Sequence, residues 1–174
     1  MTTIRLTTWV NAPVERCFLL ATNRDFSSSS HANGTEGKTQ GSLGLGDQVG
    51  WKVGNRSYVS RIEAIRPYSY FREVMVAGIF SHFEHDHHFA RMDDGTRVRD
   101  EIRFSTRLGP FGRVFEMTVL RAALGRMLVS RNSELKRLAE SGEWQRFVGT
   151  SDGVLETIAA NDPQNRMTTM QRFA

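Results

Sequence analysis

Hydrophobic and polar positions alternate at the start of the chain and then change period. Residues 3–10 follow the period of two that predicts a half-buried strand. The inward face of that strand carries Ile4, Leu6 and Val10. After it, Asn11 is expected to cap a helix that has Pro13 in its first turn and extends to about Asn23. The pattern therefore predicts a strand followed directly by a helix.

Five further segments have the composition of strands, and turn residues separate them. They cover residues 47–53, 57–65, 69–77, 80–92 and 96–107. Sequential strands with such short connections form an antiparallel meander. In the last segment, Arg97, Arg99, Glu101 and Arg103 alternate with Val98, Asp100, Ile102 and Phe104. This alternation predicts a sheet with one solvated face and one covered face.

The next apolar pattern predicts what covers the sheet. Between Gly109 and Gly142, large apolar side chains recur at steps of three and four, which indicates one amphipathic helix of about thirty residues. Its apolar stripe consists of Met117, Leu120, Leu124, Met127, Leu128, Leu135 and Leu138. Residues 151–162 have the pattern of one more short helix. We therefore expect a domain at residues 1–141 and a C-terminal extension at residues 142–174.

Residues 27–46 contain almost no large apolar side chains, which predicts a long mobile loop. Within it, residues 32–39 (ANGTEGKT) match a permissive form of the phosphate-binding P-loop, with Ala in place of the first Gly. That motif needs a buried strand before it and a helix N-terminus after it. Serines precede it here and glycines follow it, so the sequence does not favour nucleotide binding.

Composition and charge narrow the classes of function. The 174 residues, 39% hydrophobic and 24% charged, are typical of one folded soluble domain. No run approaches about 20 apolar residues and the first residues lack the apolar core of a signal peptide, so we expect no membrane insertion and a cytoplasmic location. The net charge of +4 comes mostly from scattered arginines, which favours no nucleic-acid partner.

Cys17 is the one cysteine of the chain, which excludes an internal disulfide. Val14, Phe18 and Ala21 accompany it at helical spacing. This pattern predicts a packed, inert thiol rather than a nucleophile.

Three of the five histidines lie in one segment, FEHDHHF at residues 83–89. Strand alternation places His85 and His87 on one face, which is expected to be the covered one because it also carries Phe83 and Phe89. By the same parity, Glu73 and Asp100 turn inward from neighbouring strands. Arg131 lies at the centre of the apolar helix stripe. The sequence thus predicts two imidazoles, two carboxylates and a guanidinium beneath the long helix.

Three interpretations of this polar cluster remain open. Buried charges need partners, so the cluster can be a structural network of hydrogen bonds. It can instead line a cavity and orient a ligand, since convergent polar groups in an apolar pocket are typical of small-molecule sites. A metal is the third interpretation, because His-x-His supplies two ligands and Asp100 or Glu73 a third. No further His or Cys supports a zinc site, and we expect no metal and no cofactor.

Several segments resemble the SRPBCC (START/major birch pollen allergen/polyketide cyclase) superfamily, in particular bacterial ligand-binding members labelled polyketide cyclase-like. These segments are GLGDQVGWKV, SRIEAIRPYSYF, FREVMVAGIFSHFEHDHHF, DDGTRVRDEIRFSTRLGPFGRV and MLVSRNSELKRLAES. The resemblance covers roughly residues 3–141. It implies an α+β helix-grip fold, in which a curved antiparallel sheet of about six strands wraps around a long C-terminal helix.

The resemblance also bears on individual positions. Recurring family positions are matched by His85, His87, Asp100, Arg131 and Asn132, and Glu73 stands where an acidic residue is usual. The chain departs from the family in two places. The hairpin after Trp51 is shortened to residues 54–56, and residues 142–174 have no counterpart.

The leading functional hypothesis is the binding of a hydrophobic, lipid-like or polyketide-like small molecule between sheet and helix. Its walls are predicted to be Phe71, Met75, Phe83, Phe89, Phe104, Leu120 and Leu124. The polar end of the ligand is expected to meet His85, His87, Asp100 and Arg131, with Glu73 beside them. Arg131 favours an anionic group there, because a guanidinium and a carboxylate form two parallel hydrogen bonds.

Two other classes of function are kept. In an enzyme of the cyclase or isomerase type, the same His/Asp cluster would act as general acid and base, although the sequence identifies no nucleophile and no particular catalytic residue. In a partner-binding module, the basic outer face and the extension would bind another protein. That protein could be a second copy of this chain, which would give a homodimer.

Overall fold

Six strands and two principal helices make up the part of the chain that the computed structural model describes, namely residues 1–24, 26, 41–53, 56–106, 114 and 116–148. The strands are β1 (Thr2–Val10), β2 (Gln48–Val53), β3 (Arg56–Arg66), β4 (Tyr70–Ala77), β5 (Phe80–Met92) and β6 (Gly95–Thr106). The helices are α1 (Val14–Ala21) and α2 (Arg121–Glu140). A π-helical turn, Glu116–Leu120, precedes α2, and a 3-10 turn, Gly142–Arg146, follows it. Within these ranges, no helix is long and apolar enough to span a bilayer.

The strands form one antiparallel, curved sheet in the order β1-β6-β5-β4-β3-β2. The predicted meander from β2 to β6 is confirmed, and each predicted strand agrees with the observed one to within one or two residues. Strand β1 adds to the free side of β6, so that β1 and β2 are the edges. Helix α2 packs against β1 and α1. The predicted α+β helix-grip architecture is therefore confirmed.

Helix α2 is shorter than predicted. Its twenty residues continue from the π-helical turn, while Gly109 and Pro110 lie outside the described residues. The helix ends at Glu140 because the backbone of Ser141 is extended. The Ser141 hydroxyl then accepts a hydrogen bond from the backbone N–H of Glu143, which starts the 3-10 turn. Gly142 begins that turn and does not close the helix, so this part of the prediction was wrong.

The predicted cap of α1 was also wrong. Pro13 occupies the N-cap position, and no side chain there bonds to the helix. The backbone N–H of Asn11 instead donates to the Glu140 carboxylate at 2.8 Å, which ties the start of α1 to the end of α2. The helix ends at Ala21, because the side chain of Thr22 bonds back to the carbonyl of Phe18 at 2.9 Å.

Two hydrophobic clusters form the core. The first surrounds α1 and contains Cys17, which is fully buried as predicted. The second lies between the sheet and the first half of α2. Trp144 and Val148 belong to the first cluster, so the described beginning of the predicted C-terminal extension packs onto the domain. The domain boundary after residue 141 stays a prediction.

Two predicted features fall on residues that the structure does not describe. The P-loop-like segment at residues 32–39 and the short helix at residues 151–162 lie outside the described residues. Of the predicted loop at residues 27–46, the structure describes residues 41–46. There Leu43 is buried in the first cluster, and its backbone N–H donates to the carbonyl of Thr22 at 2.7 Å.

Candidate functional site

The side chains of β5 divide between the two faces of the sheet as predicted. His85 and His87 are buried beneath α2, and the His87 side chain is only 1% exposed. His82 and His88 lie on the outer face and are exposed. Asp86 also faces outward but is buried, because Tyr70, Arg72 and Arg103 donate hydrogen bonds to its carboxylate.

Strand register brings the two buried histidines to Asp100. In the pairing of β5 with β6, His87 lies opposite Asp100. The Oδ1 atom of Asp100 is 2.6 Å from His87 Nδ1 and 3.2 Å from His85 Nε2. Its second oxygen, Oδ2, accepts a hydrogen bond from Asn132 Nδ2 at 2.6 Å. Asp100 is fully buried and has three partners on two structural elements, as a desolvated carboxylate requires.

Glu73 enters the same network from the neighbouring strand. It pairs with His85 in the β4–β5 register. One of its carboxylate oxygens accepts from the Ser60 hydroxyl at 2.7 Å, and the other lies 3.6 Å from His87 Nε2. His87 is therefore flanked by a carboxylate at each ring nitrogen.

Arg131 and Asn132 reach the network from α2. The Arg131 Nη2 atom donates to the carbonyl of Ala21 at 3.2 Å, and its guanidinium lies over the Phe26 ring. Its Nη1 atom lies 3.4 Å from His87 Nδ1. Arg131 is thus engaged by protein atoms on several sides and is buried. Asn132 links Asp100 to the hydroxyl of Thr8 on β1, at 3.2 Å.

The short contact with Asp100 determines the position of the proton on His87. An imidazole nitrogen 2.6 Å from a carboxylate oxygen must carry a hydrogen, so Nδ1 donates to Asp100. Arg131 is a donor as well, and its contact with the same nitrogen is therefore a close approach rather than a hydrogen bond. The other ring nitrogen, Nε2, is buried without a hydrogen-bond partner among the described residues. Nε2 and the Oδ1 atom of Asn132 are the two buried atoms of the network that have no hydrogen-bond partner among the described residues.

Burial and neighbouring groups together set the pKa values of Asp100, Glu73 and His85. Burial alone would raise the pKa of Asp100, but hydrogen bonds with His85 and His87 hold that pKa well below its usual range. Burial would likewise raise the pKa of Glu73, and the nearby His87 imidazole lowers it instead. For His85, burial and the nearby His87 lower the pKa to about 4. His85 is therefore neutral and both carboxylates are ionised at neutral pH.

The nitrogen and oxygen atoms of this cluster bear on the metal interpretation. One atom each of His85, His87 and Asp100 lie within 4.8 Å of one another, as a three-ligand site would need. However, Arg131 carries a permanent positive charge 3.4 Å from the His87 nitrogen that faces Asp100. A divalent cation at this place would be repelled by that guanidinium. The arrangement favours a hydrogen-bonded network over a metal site.

The predicted wall residues are all in the protein interior or partly buried, but they divide between the two clusters. Phe71 and Phe89 belong to the first cluster, and the Phe71 ring stacks on His87 at 4.0 Å between centroids. The second cluster contains Phe83, Phe104, Leu120 and Leu124, with the partly buried Met75 packed against it. These side chains contact one another, and their role as walls of a ligand cavity stays a prediction.

A cavity of about 790 Å³ lies at a different place, between edge strand β1 and helix α2. Its apolar lining consists of Ile4, Leu6, Ala122, Gly125, Leu128 and Val129. None of the site residues predicted from the sequence lines it. Gly125, a glycine inside the predicted helix, is the feature of the sequence that could have indicated this cavity. A glycine inside a helix costs about 1 kcal/mol relative to alanine, and such a position indicates close approach or open space.

In the structure, the space beside Gly125 is open. A Cβ atom added to Gly125 would meet nothing within 4 Å. Residue 118 of the π-helical turn and residues 122 and 125 of α2 all line the cavity. The cavity is thus a gap between elements that contact each other elsewhere.

A curved antiparallel sheet packed against a long helix defines the class of fold, which is the helix-grip fold. The resemblance noted from the sequence is confirmed at the level of the fold. No protein-family model matches the sequence, and no curated protein matches it either.

Solved structures with this fold are similar to the chain at low identity. Aha1 from Colwellia psychrerythraea, solved as a dimer, has a TM-score of 0.59 at 14% identity over 82% of this chain and 99% of its own. BexL, a di-domain ARO/CYC protein of the BE-7585A biosynthetic pathway, has a TM-score of 0.62 at 12% identity over 80% of this chain and 50% of its own. DynU16, from the dynemicin biosynthetic locus, has a TM-score of 0.57 at 13% identity over 80% of this chain and 48% of its own.

Proposed function

We propose that this protein binds a hydrophobic small molecule in the cavity between β1 and α2. The observation that carries the proposal is the cavity itself, whose volume of about 790 Å³ lies within the range of about 300–1,000 Å³ that is usual for small-molecule sites. Its lining is mostly apolar, as such sites require. Burial of an apolar ligand there releases about 25 cal/mol for each Å² removed from water.

The cavity adjoins the second hydrophobic cluster. Leu128 is a buried member of that cluster, and Ile4 and Leu6 pack against it from β1. These three side chains line the cavity as well. A ligand in the cavity would therefore extend an apolar surface that already lies between sheet and helix.

The predicted polar site does not line this cavity, and its contact with a ligand stays a separate prediction. Among the groups expected to meet the ligand, His87 has the one orphaned ring nitrogen, Nε2, that can accept a hydrogen bond. His85, Asp100 and Arg131 use their polar atoms within the network. Their role is to hold His87 in one orientation.

Two structural neighbours come from biosynthetic settings, which agrees with a small-molecule role. BexL belongs to a biosynthetic pathway and DynU16 to a biosynthetic locus. We extend the general role, the binding of a small organic molecule, to this chain and place it in the cytoplasm. The Aha1 neighbour is a dimer; a homodimer of this chain stays a prediction.

Substitution at Gly125 tests the proposal. A leucine at this position would project into the cavity, whereas an alanine fills little of it and has a higher helix propensity than glycine. We expect the parent protein and Gly125→Ala to enhance the fluorescence of Nile red, a neutral hydrophobic dye, and Gly125→Leu to lose at least about tenfold in affinity. Circular dichroism confirms that each variant is folded. Equal affinity of all three proteins would contradict the proposal.

A second candidate function rests on the His87–Asp100 pair. A base held by a carboxylate, with its other nitrogen free, has the arrangement that general base catalysis uses. Nε2 would take a proton from the carbon next to a carbonyl and return it, while Asp100 stabilises the imidazolium. His85 is unsuited to this role, since a pKa of about 4 makes it a weak base.

Solvent deuterium exchange tests this second candidate. We would follow exchange at the acidic carbon of an acetoacetyl thioester by proton NMR, with the parent protein and with His87→Gln. Exchange that His87→Gln abolishes would support the enzyme. Equal exchange in both proteins would exclude His87 as the base for this class of carbonyl compound.

A further inference from the structure

The charged side chains among the described residues that line the cavity are all positive. Its lining includes three arginines, Arg5, Arg121 and Arg126, and no carboxylate. The Arg5 guanidinium forms an ion pair with Glu101 on the neighbouring strand, at 2.9 Å. This pairing leaves the two arginines of α2 as the uncompensated charges at the opening.

Arg121 and Arg126 have no partner among the described residues. In the ranges that the structure describes, neither makes a hydrogen bond or an ion pair, and both side chains are exposed. The other charged side chains of α2 are engaged differently: Lys136 pairs with Glu140, and Arg137 with Glu134. Positive charge without a partner is therefore concentrated at the part of the helix that borders the cavity.

We propose that the ligand is an anionic amphiphile with a single carboxylate head, which Arg121 and Arg126 hold while its apolar tail fills the cavity. This inference rests on the proposed function and adds the chemical class of the ligand. The two arginines are five positions apart, about 7.5 Å along the helix axis and about 140° around it, and both line the cavity, so each would approach the head group from its own side. Two guanidinium groups suit a carboxylate, which each can bind through parallel hydrogen bonds.

The order of polarity along the cavity supports this class of ligand. Ala122 and Gly125 lie next to the arginines on α2, and Leu6 and Leu128 lie deeper, in contact with the second cluster. A head group at the opening keeps part of its hydration, and only the apolar tail is fully desolvated. This costs much less than burial of a charged group inside the protein.

The buried arginine is the poorer anion receptor. Arg131 was expected from the sequence to meet an anionic group, but it donates to Ala21 and lies over Phe26. A carboxylate brought to it would also approach the ionised Asp100 and Glu73. Repulsion between these like charges in a buried site favours the outer arginines.

A pair of ligands that differ only in the head group tests the inference. We would measure the affinity for dodecanoate and for dodecanol by competition with Nile red at neutral pH. The parent protein should bind dodecanoate about tenfold more tightly. The double variant Arg121→Gln/Arg126→Gln should lose this preference and keep its affinity for dodecanol. Arg137→Gln, on the same helix but outside the cavity, is the matched control and should behave as the parent.

Three outcomes would overturn the inference. Equal affinity of the parent for the two compounds would leave the proposed function intact but would contradict a preference for a carboxylate head group. If the double variant still binds dodecanoate more tightly than dodecanol, residues other than Arg121 and Arg126 bind the carboxylate. Retention on phosphatidylglycerol vesicles, with no binding of dissolved dodecanoate, would assign the arginines to a membrane surface.

Failure of the proposed function itself has a different signature. In that case neither compound would displace Nile red, and Gly125→Leu would match the parent with both. An effect of ionic strength gives a further distinction. Because exposed charges are screened by salt, raising it should weaken dodecanoate binding and leave dodecanol binding unchanged.

Discussion

His87 Nδ1 lies 2.6 Å from Asp100 Oδ1 beneath helix α2, and water reaches neither side chain. A hydrogen bond to an ionised group is stronger in such surroundings than in water. The same surroundings make each partner costly to leave alone, because a buried charge without its partner has no solvent to stabilise it. The pair therefore has measurable consequences for stability.

Substitution of Asp100 by alanine should destabilise the protein strongly. It removes the acceptor of His85, His87 and Asn132 at once and leaves them buried. We expect the free energy of unfolding to fall by about 3–5 kcal/mol, as when one partner of a buried ion pair is removed. Urea unfolding followed by circular dichroism measures this difference.

The matched control is Asp94→Ala. Asp94 is exposed in the turn between β5 and β6, and its replacement should cost less than about 1 kcal/mol. Similar losses in the two variants would show that the buried network contributes nothing particular to stability.

Stability should also decrease as the pH is lowered from about 6.5 to about 4. Burial lowers the pKa of His85 to about 4, so over this interval the unfolded chain binds a proton that the folded chain does not. The lowered pKa values of Glu73 and Asp100 continue the loss at still lower pH. We expect His85 to account for about 3 kcal/mol of this dependence.

The variant His85→Gln isolates this contribution. The free energy of unfolding, measured in urea at several pH values, should depend less steeply on pH in this interval than in the parent. His82→Gln is the control, because His82 lies exposed on the outer face of the sheet. Parallel pH profiles for the parent and His85→Gln would refute the assignment.

Trp144 should stabilise the fold although it lies after residue 141. It is buried in the first cluster, and the Arg16 guanidinium lies 4.6 Å from the centre of its ring. Trp144→Ala should cost about 3–5 kcal/mol and lower the melting temperature by about 10 °C. Calorimetry measures the shift. Trp9→Ala, at a position that is 54% exposed, should change it much less, and equal shifts would contradict the packing of this turn.

Cys17 should be chemically silent in the folded protein. Burial raises its pKa to about 12, which leaves almost no thiolate at neutral pH. We expect no reaction with Ellman's reagent in buffer and one reactive thiol for each chain in denaturant. Rapid modification of the native protein would indicate that α1 opens readily or that the site is accessible.

Local patterns account for the predictions that succeeded. The parity of His85, His87 and Asp100 follows from the period of two, which each strand carries in its own residues. The strand boundaries follow from turn residues between apolar segments. The two errors, the cap at Asn11 and the end of α2 at Gly142, concern element ends. Pro13 at the N-cap of α1 and the extended backbone of Ser141 after α2 decided the outcome.

The candidate cavity was not predicted because its two sides are distant in sequence. Leu6 and Gly125 are separated by more than a hundred positions and come together only when β1 adds to β6 and α2 covers the sheet. The partners of Arg131 were equally invisible, since Ala21 belongs to the end of another helix. Sequence patterns identify faces, whereas gaps and pairings depend on how faces meet.

The sequence by itself determined the class of fold, the inward face of each strand and the buried position of the imidazole cluster, because these depend on periods written in neighbouring residues. Only the tertiary structure decided which polar atoms are satisfied, as at Arg131, and which are not, as at His87. It also decided that the open space borders β1 and two arginines that have no partner in the described part of the chain. Contacts and cavities are properties of packing between distant segments, and no local pattern encodes the distance between them.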